Sequence, residues 1–149
     1  MIVVDTNVAS ELMRPSPSVA VRDWVLGHDG RDLCTTAITL AEIAYGIERL
    51  PSGHRKDALR AAVAEVFGMF DEQVLPFDVA AAEQYALVVS HRDALGLPIE
   101  GFDAQIAAIC RARGAALPTR NLADFQETGV EVINPWQPGR SAQRSGRGD

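Results

Sequence analysis

The oxygen-bearing side chains of Asp5, Glu42, Asp103, Asn121 and Asp124 carry most of the chemistry this sequence offers, and each falls beside a boundary between a strand-like run and a helical one. Asp5 ends the apolar run that starts at Ile2. Glu42 lies in the first turn of a helical stretch beginning at Thr39, and Asp103 in the first turn of a helix over 102–113. Asn121 and Asp124 follow the apolar run 115–118. In an open parallel sheet, ligands bind beyond the carboxyl ends of the strands, where the following helices begin, so these groups can share one edge.

Taken singly, each has a local alternative. Asp5 or Asn7 suits the cap of a first helix, and Thr39-Leu40-Ala41-Glu42 fits the capping box in which Glu42 reaches back to the Thr39 amide. Asp103 complements a helix dipole, and Asn121 with Asp124 fits another cap. Taken together, several like charges raise one another's pKa values and cost stability unless a cation compensates. Magnesium suits that role, because it takes oxygen ligands, keeps several waters and needs only one or two direct carboxylates. Such a cation polarises a phosphodiester, turns a bound water into a nucleophile and stabilises the leaving oxygen, which is hydrolytic nuclease chemistry.

Competing chemistries have little to draw on. The chain lacks the GxxxxGK[ST] loop, the GxGxxG fingerprint and the GxSxG elbow. His28, His54 and His91 show no metal-ligand spacing and read as surface residues, while Cys34 and Cys110 form no CxxC and read as small buried apolar residues. Glu11, Glu48, Glu83 and Glu100 read as solvated.

The elements that must position the acids are short. Ile2 to Asp5, Leu33 to Thr36, Val74 to Phe77, Ala115 to Pro118 and Val130 to Ile133 read as strands. Between them lie helical patterns: one opening at Thr6-Asn7 and stopping before Pro15, one starting at Ser16 or Ser18, and one from Thr39 to the Pro51-Ser52-Gly53 breaker. Three more follow, over His54 to Phe70, after an Asp78 cap to Gly96, and over 102–113 with Gly114 as its stop. This alternation predicts an α/β fold, a mainly parallel sheet flanked by helices.

The chain has 149 residues, 47% of them apolar, which predicts one domain with a proper core. No apolar run approaches the roughly 20 residues that span a bilayer, and the start lacks the basic flank of a secretory signal, so a cytoplasmic address is expected. A formal charge of −6 disfavours a passive nucleic-acid coat. The segment from Gln137 holds Arg140, Arg144 and Arg147 against Asp149 alone, leaving the rest more acidic still. We therefore expect a domain over 1–136 and a disordered basic tail over 137–149.

Several stretches together resemble the PIN-domain ribonucleases, and most closely VapC toxins of the FitB-like group. They are VVDTNVASELMRP, TTAITLAEIAYGIERLP around Glu42, DAQIAAICRARG from Asp103, TRNLADF over 119–125 and the closing VINPW. The resemblance implies a three-layer PIN-like fold, an acidic pocket holding Mg²⁺ or Mn²⁺, endonucleolytic cleavage of RNA, homodimerisation and neutralisation by a VapB-type antitoxin. It makes Asp5 and Asp103 the metal-binding acids and Glu42 the acid that orients metal-bound water. Asn121 stands at the usual fourth acidic site, with Asp124 three residues later; Thr6, Asn7 and Thr119 orient carboxylates or contact phosphate. Arg14, Arg49, Arg111, Arg113 and Arg120 are candidate phosphate contacts. The competing reading is a non-catalytic α/β interaction module whose acidic edge binds a basic partner or a cation.

Overall fold

Val3 and Val4 are both fully buried, but in different cores, and that alternation along one strand sets the layering. The computed structural model describes residues 1–139. In chain order the elements are β1 (Ile2–Val3), α1 (Thr6–Leu12), α2 (Val19–Leu26), β2 (Leu33–Thr36), α3 (Ala37–Glu48), α4 (His54–Gly68), β3 (Val74–Leu75), α5 (Val79–Ala94), α6 (Gly101–Arg113), β4 (Leu117–Pro118) and β5 (Val132–Ile133). Short 3₁₀ turns occupy Gly30–Asp32 and Leu122–Phe125.

All the observed strand pairings are parallel. Ile2 pairs with Leu33, Thr35 with Val74, and Leu117 with Val132. A parallel bridge from Ile2 to Ala116, with the Val3 amide donating to the Ala116 carbonyl at 2.9 Å, joins the two halves. The order is therefore β3-β2-β1-β4-β5. Chain direction across the sheet reverses between β1 and β4, the kind of place where a crevice opens in such folds. Val3, Val88, Ile106, Ile109 and Leu117 form the core under α5 and α6, whereas Val4, Val8, Val21, Ile43, Ile47 and Phe67 form the core under α1 to α4. Each such burial contributes roughly 1.5–3 kcal/mol.

The three-layer expectation thus holds, with shifted edges. The strands at Val74, Ala115 and Val130 are shorter than expected, reduced to two residues each. Ser18 caps α2, Asp78 caps α5, and Gly114 closes α6 in the left-handed conformation at φ 63°. The helix expected from Thr39 starts at Ala37, because Thr36 is its cap: the Thr36 hydroxyl accepts from the Thr39 amide at 2.9 Å. The tail from Arg140 lies outside the described residues. Trp136 packs against the core of α1 to α4. Among the described residues, no helix is long and apolar enough to cross a membrane.

Candidate functional site

Asp5 leaves β1 in an extended conformation and caps α1, its Oδ1 accepting from the Val8 amide at 3.0 Å. The cap reading is therefore correct, but it accounts for only part of the residue. Asn7 Nδ2 lies 3.5 Å from Asp5 Oδ2 and 3.4 Å from the Thr119 hydroxyl, which places the end of β4 beside the end of β1. Asp5 is 3% exposed. Burial pushes its carboxyl up to about 6, against the opposing effect of hydrogen bonds from Thr119, Val8 and Asn7.

Glu42 is not a cap. With the α3 start at Ala37, it sits in the second turn, and Oε2 accepts from the Thr6 hydroxyl at 2.7 Å. The capping-box alternative fails because Thr36 takes the amide that closes the turn, and its hydroxyl also lies 2.9 Å from that of Thr39. Thr6 thus ties the first turn of α1 to α3.

Asp103 is half-buried in the first turn of α6. Its carboxyl is pushed up to about 7, first by burial and then by the negative charges of Glu100, Asp124, Glu42 and Asp5. Four carboxylates from different parts of the chain therefore share one field with it. Glu100 is exposed, as its sequence reading implied, yet it also caps α6: its Oε2 accepts from the amides of Phe102 and Asp103 at 3.0 and 3.2 Å.

Asn121 is exposed and stands at the cap position of the 3₁₀ turn without capping it through its side chain, so the cap alternative for that residue is not realised. Its amide donates to the Thr119 hydroxyl at 3.1 Å. Asp124, also exposed, is the member of this loop whose charge reaches Asp103.

Glu11 departs from its solvated reading. It is 8% exposed, because its Oε1 accepts from the Ser18 amide at 2.8 Å and fastens the turn between α1 and α2. That hydrogen bond, with Arg14 and Arg120 nearby, holds its carboxyl below the usual range. Of the candidate phosphate contacts, Arg113 pairs with Asp78 and Arg111 donates to the Thr128 carbonyl. Arg49 lies over Tyr45, and Arg120, adjoining Thr119, stacks 4.3 Å from the Trp136 ring centroid. Arg14 remains largely exposed beside Glu11. Cys34 and Cys110 are buried, as expected. His54 and His91 are exposed, whereas His28 is half-buried, its Nδ1 2.7 Å from the Trp24 carbonyl.

The donor set at this edge is carboxylate, amide and hydroxyl oxygen, which suits a hard divalent cation. Among the described residues, no three His, Cys, Asp or Glu side chains close on one point. A parallel α/β domain with acidic and other oxygen-bearing side chains near its topological switch is the class these features define. Residues 2–130 match the PIN domain model, and the chain belongs to that family. It is 40% identical over 138 residues to the plasmid stability protein StbB of Pseudomonas syringae pv. tomato, covering 92% of this chain and 99% of that one. It is 37% identical over 139 residues to the VapC ribonuclease Y4jK of Sinorhizobium fredii, covering 93% and 99%. The crystal structure of FitAcB from Neisseria gonorrhoeae superposes with a TM-score of 0.84 at 34% identity, over 91% of this chain and 99% of that one.

Proposed function

We propose that this chain is the toxin endoribonuclease of a VapBC-type toxin-antitoxin system, hydrolysing RNA phosphodiester bonds in the cytoplasm with Mg²⁺, for which Mn²⁺ substitutes. The observation that carries the reading is the set of contacts that joins the ends of β1, β4 and α3: Asn7 bridges Asp5 and the Thr119 hydroxyl, and Glu42 accepts from Thr6 at the start of α1, with Asp103 near enough for the negative charges of Asp124, Glu42 and Asp5 to help raise its carboxyl. A compensating cation is what makes such a cluster favourable. The family match and the VapC ribonuclease relative support the same reading.

Asp5 and Asp103 hold the metal. The cation, when bound, polarises the scissile phosphate and lowers the pKa of an attacking water. Glu42, its carboxylate fixed by Thr6, orients that water and accepts its proton. Asn7 and Thr119 keep Asp5 aligned, Asn121 follows Thr119 on the same loop with its amide on the Thr119 hydroxyl, and Asp124 adds to the negative charge seen by Asp103. Arg14, Arg49 and Arg120 are the candidates for phosphate contact whose guanidinium groups make no hydrogen bond to a distant main-chain carbonyl or ion pair across elements, as Arg111 and Arg113 do.

A homodimer and a VapB-type antitoxin complete the assembly. The groove between α3 and α4, lined by Ala44, Ile47 and Val63 with Glu48 and Arg60 at its edge, receives an apolar antitoxin segment. A basic residue of that segment competes with the metal for the acidic pocket.

The test is cleavage of structured RNA by the purified protein with Mg²⁺, with Mn²⁺ and in EDTA, alongside Asp5→Asn and Asp103→Asn. Activity should require metal and fall at least about a hundredfold in each variant. Undiminished cleavage in EDTA or in both variants overturns the mechanism.

A further inference from the structure

Arg92, in the last turn of α5, is a buried arginine at 5% exposure whose hydrogen bonds all go to main-chain carbonyls. Nε donates to the Leu97 carbonyl at 2.7 Å and Nη2 to that of Pro98 at 3.3 Å. Nη1 donates to the carbonyls of Asp124 and Gln126 at 3.1 and 2.6 Å. Four bonds thus use most of the five N–H donors of a guanidinium.

One acceptor segment leads into the start of α6, which carries Asp103, and the other contains Asp124. Leu97 and Pro98 lead directly into Glu100, which caps α6 and holds the amide of Asp103. Asp124 and Gln126 belong to the turn after β4, whose charge reaches Asp103. The two segments are far apart in sequence, and the guanidinium fork bridges them. A charge buried without a carboxylate costs several kcal/mol unless its donors are satisfied, so the fork keeps both loops pinned in register with α5.

We propose that Arg92 is a positioning residue for the metal site, setting the separation of Asp103 from Asp124 by holding the loops that present them. This rests on the metal-dependent reading given above, but it concerns cation binding and so can be judged without RNA. Lysine at this position keeps the charge and loses the fork, so it cannot hold both loops at once.

The experiment is calorimetric titration of Mn²⁺ into the wild type, Arg92→Lys and Pro98→Gly, with each variant's fold checked by circular dichroism. Pro98 is exposed, so Pro98→Gly loosens the segment leading to Asp103 without disturbing the core. Arg92→Lys should bind Mn²⁺ at least about tenfold more weakly, as loss of a group supporting metal ligands typically does. Pro98→Gly should weaken binding in the same direction, and this variant decides the matter if Arg92→Lys does not fold. With metal at saturation, Arg92→Lys should recover much of its RNA cleavage with KM unchanged, which a globally weakened protein would not do. Unchanged Mn²⁺ affinity in folded Arg92→Lys, or in Pro98→Gly where Arg92→Lys is unfolded, overturns the proposal. Wild-type protein that binds Mn²⁺ yet cleaves no RNA refutes the nuclease reading and leaves this one intact.

Discussion

Replacing Asp5 by asparagine separates the two roles that its position combines. Asn is as good a helix cap as Asp, so Asp5→Asn keeps the acceptor for the Val8 amide while removing the buried charge. The Asp5 carboxyl is raised from 3.8 to about 6, a penalty of about 3 kcal/mol on the ionised form at 1.36 kcal/mol per unit. An acid whose folded-state pKa is raised keeps its proton longer in the native protein than in the unfolded chain. Its contribution is therefore lost as pH rises from the unfolded value to about 6, and it stays lost above that. In EDTA at pH 7, Asp5→Asn should melt higher than wild type by roughly 5–10 °C, while near pH 4 the two should converge. Saturating Mg²⁺ should close most of that gap. A hundredfold excess over Kd stabilises the wild type by about 2.7 kcal/mol, and the variant should gain far less. Differential scanning calorimetry at pH 4 and 7, with EDTA or Mg²⁺, reads all four states. If Asp5→Asn melts lower than wild type at pH 7 in EDTA, or gains as much from Mg²⁺, the charged pocket is not the reason for its burial.

Four further outcomes concern other parts of the molecule. Thr36→Val should cost about 1 kcal/mol in urea unfolding with or without metal, because Thr36 is the α3 cap. Glu42→Gln should stay within about 0.5 kcal/mol of wild type in EDTA while losing at least tenfold in cleavage; a full cap's worth of lost stability would return Glu42 to the capping box. Glu11→Ala should cost about 1–3 kcal/mol by leaving the Ser18 amide without its acceptor. Because the Glu11 carboxyl is held low, that deficit is full at neutral pH and narrows in acid as the wild-type group protonates, which urea titrations at pH 7 and 3 would show. Light scattering should give about twice the mass of one chain, and a strictly monomeric species would refute the dimer.

The order of elements was legible because its signals are local. Ser18, Asp78 and Gly114 mark helix ends by their own backbone and side-chain preferences, and the structure uses each of them. The α3 start was misread because, within TTAIT, Thr36 and Thr39 offer the same capping chemistry. Thr36 prevails since it ends β2, paired with Leu75, and is buried where its hydroxyl meets the Thr39 amide. Glu11 and Arg92 escaped notice for a different reason. Their partners are main-chain groups, and no residue type announces a free amide at Ser18 or a free carbonyl at Gln126. The candidate acids are legible one by one at strand-to-helix junctions, but what brings them near one another depends on a strand order that local patterning does not encode.

That strand order explains how the fold tolerates the cluster. β1 lies between β2 and β4, so the chain segments that leave these strands meet at one edge, and the helices α1 and α3 begin there. Asp5 precedes α1 and Asp103 opens α6, each close to the partial positive charge of unpaired amides at a helix start. The Asp5 cap and the Glu100 cap consume some of those amides, so the helix ends lower the cost of the charges without cancelling it. What remains is visible in Asp5 and Asp103, both still raised despite these contacts. Local hydrogen bonds can therefore place the carboxylates, but neutralising them needs a further positive group. On the proposed function, a divalent cation or a basic side chain of an antitoxin would each meet that requirement, and competition between them for these carboxylates would couple inhibition directly to metal loss.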